Sequence, residues 1–211
     1  MKRSFPLVLV AALVAAPVLI QSRATAQGES HVAVLYRESY ALEAKRDYPG
    51  AQARMKDVVR EGGTTYFATL RSGWLSYLAG DLPGAIASYR AAIAAEPKAV
   101  EPRLGLTLPL LAARNWKDLE VASRDVLALD AHNATALARL AAAQYYGANY
   151  AGAESSYRQL TGDYPSDLDY KTGLGWALLK LGRTADARQI FTAVLAVSPD
   201  NTNAKAGMAV K

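Results

Sequence analysis

The chain has 211 residues, 24 of them basic and 19 acidic, and no cysteine. Without thiols it can form no disulfide, cysteine nucleophile, cysteine-ligated zinc site or lipid-anchored lipoprotein. The formal charge of +5 does not argue for nucleic acid, because Lys2, Arg3 and Arg23 lie in a segment expected to be removed; 21 basic then face 19 acidic side chains.

That segment comes first. Lys2 and Arg3 precede an uncharged, Leu-, Val- and Ala-rich stretch from Phe5 to Ile20, and Ala24-Thr25-Ala26 follows. Basic, apolar and small-residue regions in this order form the secretory signal pattern. The apolar stretch is interrupted by Pro6 and Pro17 and falls short of the roughly 20 residues a spanning helix needs. The sequence therefore predicts a cleavable signal over 1–26 and a domain over 27–211, exported to the periplasm or beyond. An uncleaved membrane anchor is the alternative.

The rest of the chain repeats every 34 residues. Ala51, Ala85, Leu119, Ala153 and Ala187 share one column. Met55, Tyr89, Ser123, Tyr157 and Phe191 share a second; Ser39, Gly73, Thr107, Ala141 and Gly175 a third; Gly63, Pro97, Ala131, Pro165 and Pro199 a fourth. Small residues let two helix backbones approach, large ones fill the next turn, and proline stops the second helix of a pair. Gly80-Asp81, Gly147-Ala148-Asn149 and Gly182-Arg183 supply the turns within pairs. The helix pairs predicted in chain order are 30–46 with 49–61, 64–79 with 82–95, 98–112 with 115–129, 132–147 with 150–163, and 166–181 with 184–197. A short capping helix follows over 200–211, where Ala204 and Met208 share a face.

This spacing, with the segment Gly80-Asp81-Leu82-Pro83-Gly84-Ala85-Ile86, resembles the tetratricopeptide repeat family over about residues 30–200. Units two and five match best. Unit three departs furthest, with Leu119 and Ser123 in place of the small and aromatic residues and Pro109 inside its first helix. The resemblance implies an all-α, right-handed superhelix of five helix-turn-helix units, at about 32–65, 66–99, 100–133, 134–167 and 168–201. It also implies that first helices line a concave groove, and that the protein binds other proteins.

On that resemblance the groove is lined by Tyr36, Tyr40, Phe67, Leu70, Trp74, Tyr77, Leu104, Leu108, Tyr145 and Trp176. The family's known carboxylate clamp places Lys and Asn in two of these columns, and neither residue stands there in this chain. Arg37, Arg71 and Arg139 share a neighbouring column and are expected to form a basic edge that pairs with acidic groups of a partner. Tyr48, Trp116 and Tyr150, one column at the start of second helices, read as packing residues.

No catalytic motif is present. His31 and His132 have no companion at metal-ligand spacing, and Asp163, Asp167 and Asp169 read as helix-capping acids. Strings such as G-x-S-x-G, H-E-x-x-H or a Gly-Lys-Ser/Thr phosphate loop do not occur. The sequence thus predicts a non-enzymatic, cofactor-free scaffold of the bacterial envelope that holds a protein segment, binds no nucleic acid and keeps no membrane span. A glycan carrier using Trp74, Tyr77 and Trp176 is the alternative. Unit three, with Pro109, is expected to be the weak point, with a bent first helix.

Overall fold

The computed structural model describes residues 30–210, so the expected signal over 1–26 lies outside the described residues. Those residues form helices and no strand. The first helices of the five units are α1 (His31–Ala44), α3 (Thr65–Leu78), α5 (Glu101–Ala112), α7 (Ala134–Tyr146) and α9 (Leu168–Lys180). Their partners, each interleaved in chain order, are α2 (Tyr48–Arg60), α4 (Leu82–Ala95), α6 (Trp116–Leu129), α8 (Tyr150–Asp163) and α10 (Thr184–Val197). The cap is α11 (Thr202–Ala209). Consecutive helices pack antiparallel. Odd-numbered helices also meet across repeats, α3 on α5, α5 on α7 and α9 on α11, and so form the inner surface of the array.

Local chemistry repeats with the fold. Asp47, Asp81, Asn115 and Asn149 each accept a hydrogen bond from the backbone N–H three residues on and so cap the second helices. Such a cap satisfies an amide that the helix cannot. The turn before each cap carries one residue at positive φ: Arg46, Gly80, Arg114, Ala148 and Gly182. One sequence expectation needs correction here. In the fourth unit the left-handed residue is Ala148, at φ 63°, whereas Gly147 sits at φ −81°.

The core is divided into layers, as stacked repeats require. The alanine column and its one exception, Ala51, Ala85, Leu119, Ala153 and Ala187, is 0 % exposed throughout. Between layers the second column meets the following first helix. A β-carbon at Gly105 or Gly173 would lie 2.4 or 2.5 Å from the ring of Tyr89 or Tyr157, and one at Gly207 would lie 2.3 Å from Phe191. Where Met55 or Ser123 replaces the ring, the facing position holds Arg71 or Arg139 instead of glycine. Each of these arginines reaches a hydroxyl of the repeat before it, Arg71 Nε that of Ser39 at 2.9 Å and Arg139 that of Thr107. Layers are therefore joined in two ways, ring into glycine or arginine onto hydroxyl.

These joints overturn the expected basic edge at Arg71 and Arg139. Arg71 is buried, Arg139 is half-buried, and both are committed to neighbouring layers, while Arg37 lies exposed on α1. They also bear on the expected weak point. α5 runs without a break from Glu101 to Ala112, with Pro109 inside it and buried. Proline cannot donate to the carbonyl of Gly105. One residue earlier, the Leu104 carbonyl accepts from Arg139 Nη1 at 2.8 Å and from the Thr107 hydroxyl at 2.6 Å. A strap from α7 thus holds the turn that the proline loosens.

Candidate functional site: two equivalent pockets on the inner face

The inner face carries a large pocket at its N-terminal end, about 1200 Å³ in volume, between α1, α3 and the start of α5. Tyr36, Tyr40, Phe67, Leu70, Arg71 and Trp74 line it, all of them expected from the sequence. Tyr40 is 60 %, Phe67 57 % and Trp74 38 % exposed, an unusual amount of aromatic surface to leave in water. Tyr48 lines the pocket as well as packing on the core beneath it.

Two of the pocket's charges, Glu43 and Arg71, face each other, while Arg46 and Glu101 line it at exposed positions. Glu43 faces Arg71 Nη2 at 2.8 Å and accepts from Trp74 Nε1 at 2.9 Å. The Arg71 guanidinium also lies 3.6 Å from the centre of the Tyr40 ring, a cation–π contact. At the far wall the Tyr66 hydroxyl donates to Glu101 at 2.6 Å; burial and that carboxylate push its pKa up to about 12. Burial also raises the Tyr36 hydroxyl above its ordinary value. Apart from Arg46 and Glu101, what remains for a ligand is mainly aromatic and apolar.

A smaller pocket, about 580 Å³, lies at the other end between α7, α9 and α11. It holds Tyr145 and Trp176 with Tyr146, Tyr157, Asp169, Thr172, Gly173 and Asn203. Trp176 rests against Phe191 with ring centres 5.8 Å apart at 67°. Tyr157 stands in the space left by Gly173, and burial pushes its hydroxyl up to about 12.

The other expected groove residues line neither pocket. Tyr77 packs on the core of the second and third layers, with its ring 5.9 Å from Trp74. Leu104 and Leu108 are half-buried on α5 between the pockets. Trp116 packs partly on the core and stacks on exposed Tyr146 at 4.8 Å. Asp167 accepts from the N–H groups of Asp169 and Tyr170, the capping role expected of it. Glu43 lies in a column that the family resemblance assigns to the groove, and Glu101, Asp169 and Asn203 lie in that of Phe67, whereas Arg46 is a pocket residue that the columns do not reach. Glu43 shares its column with Tyr77 and Tyr145 and stands one repeat before the Trp74 layer.

A model of the tetratricopeptide repeat matches residues 36–100 and 138–202, bypassing the irregular third unit. The chain belongs to the tetratricopeptide repeat family. Among solved structures, a tetratricopeptide repeat protein from Parabacteroides merdae is similar at 17 % identity and a TM-score of 0.76, over 83 % of this chain and 70 % of that one. MamA from Desulfovibrio magneticus is similar at 17 % identity and 0.73, over 83 % and 99 %. YrrB, described as having an unusual peptide-binding site, is similar at 13 % and 0.74, over 83 % and 91 %. At these identities the likeness shows the fold. No curated protein matches the chain. Like its family, this tetratricopeptide repeat protein is built to present surfaces to protein partners, and none of its described helices is long and apolar enough to cross a membrane.

Proposed function

We propose that this protein is a non-enzymatic scaffold of the bacterial envelope that holds an apolar protein segment in its N-terminal pocket. The observation that carries this reading is the exposed cluster of Tyr40, Phe67 and Trp74 around the Glu43–Arg71 ion pair. A terminal carboxylate or a charged side chain finds the Glu43–Arg71 pair already made, with Arg46 and Glu101 as the lining charges outside it. An aromatic or aliphatic side chain finds flat surface whose burial stabilises by about 1.5–3 kcal/mol per large residue. Support for the envelope comes from the sequence alone, through the basic, apolar and small-residue order of residues 1–26.

Selection from a random displayed-peptide library against residues 27–211 tests the reading. Peptides with spaced apolar anchors are expected, with capture lost in Phe67→Ser and Trp74→Ala while their melting curves stay near wild type. Selection of acidic peptides, or capture indifferent to both substitutions, would remove the N-terminal pocket from the proposal.

A further inference from the structure

The two pockets are one architectural site occurring twice. Shifted by three repeats, Phe67 becomes Asp169, Leu70 becomes Thr172, Arg71 becomes Gly173, Trp74 becomes Trp176, Glu43 becomes Tyr145 and Glu101 becomes Asn203. All twelve residues line their respective pockets, and only the tryptophan is kept. The chemistry around it is inverted. In the N-terminal pocket the indole N–H is taken by Glu43 and the space beside it is filled by Arg71. In the C-terminal pocket the corresponding positions hold the Tyr145 ring and Gly173, so the Trp176 N–H has no acceptor among the described residues. The side chains of Asp169 and Asn203 are likewise exposed and make no hydrogen bond or ion pair among the described residues.

We propose that the C-terminal pocket is a second binding site, one that takes the neutral, hydroxyl-rich rings of an oligosaccharide. Three features fit that class. Asp169, Thr172, Gly173 and Trp176 fall on one stripe of α9, so a carboxylate acceptor and an indole face stand on the same wall two turns apart. Tyr145 and Tyr146 add rings set edge-to-face at 5.3 Å, giving flat apolar surfaces for the C–H faces of a sugar. The uncommitted groups include an indole N–H, an amide with donor and acceptor, and a carboxylate, which together match the hydroxyl edge. The unpaired carboxylate disfavours anionic ligands. A volume of about 580 Å³ lies within the roughly 300–1,000 Å³ of small-ligand sites. Glycine at 173 lets the Tyr157 ring stand in the pocket wall, since any side chain there would meet that ring.

This inference is independent of the peptide reading, because it concerns other residues at the opposite end of the array. The test is ligand-observed NMR on residues 27–211 with chitotriose, cellotriose and maltotriose as separate probes. Saturation transfer to the ring C–H protons of at least one probe is expected. Asp169→Ala and Asn203→Ala, both at exposed positions, are each expected to weaken it about tenfold, and Trp176→Ala to abolish it. Trp74→Ala is expected to leave it unchanged. Failure of all three probes to bind at millimolar concentration, or binding that survives the Asp169, Asn203 and Trp176 substitutions, overturns the proposal.

Discussion

Tyr89 and Gly105 compete for one space: a β-carbon on Gly105 would lie 2.4 Å from Cε1 of Tyr89, a ring that is only 3 % exposed. The same relation joins Tyr157 to Gly173 and Phe191 to Gly207. Each pair is separated by the same step along the chain, from a second helix to the first helix of the next layer.

Gly105→Ala is therefore expected to cost about 1–3 kcal/mol by overpacking. In a Tyr89→Met background, which copies the Met55 that the first unit carries in this column, the same substitution should cost much less. Chemical denaturation of the four proteins gives the coupling. Equal costs in both backgrounds would mean that the ring and the glycine do not share a space.

The arginine joints predict a different defect. Arg139→Met removes the donor to the Leu104 carbonyl and to Thr107, which is fully buried. Thr107 still donates to the Leu104 carbonyl, so the loss is that of the arginine's own hydrogen bonds, about 0.5–1.5 kcal/mol each. Amide exchange should then accelerate in 101–112, where Pro109 already lacks its N–H, more than in 168–180. Uniform acceleration would show that Arg139 acts on the whole array and not on this turn.

The helix pairs are legible in the sequence because the columns at Ala51, Tyr89 and Pro97 recur at one period, and period reports directly on helix faces. Sequence pattern starts the first helix of unit three at 98, yet α5 starts at Glu101, because Pro102 suits a first turn. Six lining residues of the N-terminal pocket follow from the repeat columns. What cannot be read from one column at a time is the pairing between columns. Arg71 is a surface residue by composition and a buried one by context, since Ser39 and Glu43 meet it from the preceding repeat. Arg139 escapes a column-by-column reading for the same reason, with Thr107 as its partner.

Alkaline stability follows from the tyrosines whose hydroxyls folding raises, Tyr89 and Tyr157 being the most buried of them. Burial pushes the hydroxyls of Tyr89 and Tyr157 from 10.0 up to about 12. The unfolded chain loses these protons near pH 10 while the folded one keeps them, so their contribution is complete below pH 10 and is lost as pH rises towards 12. The melting temperature should fall across that window, and less steeply in Tyr157→Phe. A wild-type slope in Tyr157→Phe would show that this hydroxyl ionises alike in both states.

Export makes a separate prediction. The processed protein is expected to begin at Gln27, after Ala24-Thr25-Ala26. N-terminal sequencing of protein recovered from the envelope fraction checks it. Recovery with Met1 intact in the membrane would favour the anchored alternative.

The turns within pairs give the last prediction. All five place one residue at positive φ in the same column, yet only Gly80 and Gly182 are glycine. Ala148, at φ 63°, bears a β-carbon where left-handed backbone costs roughly 1–2 kcal/mol. Part of that strain is offset on replacement, because glycine loses more freedom on folding. Ala148→Gly is therefore expected to stabilise by up to about 1 kcal/mol, and Gly80→Ala to destabilise by about that much. At Gly80 a β-carbon would meet open space, so Gly80→Ala isolates the backbone effect. Thermal melts of the two variants decide it: a stabilised Gly80→Ala, or a destabilised Ala148→Gly, would mean that the turn column does not need left-handed backbone.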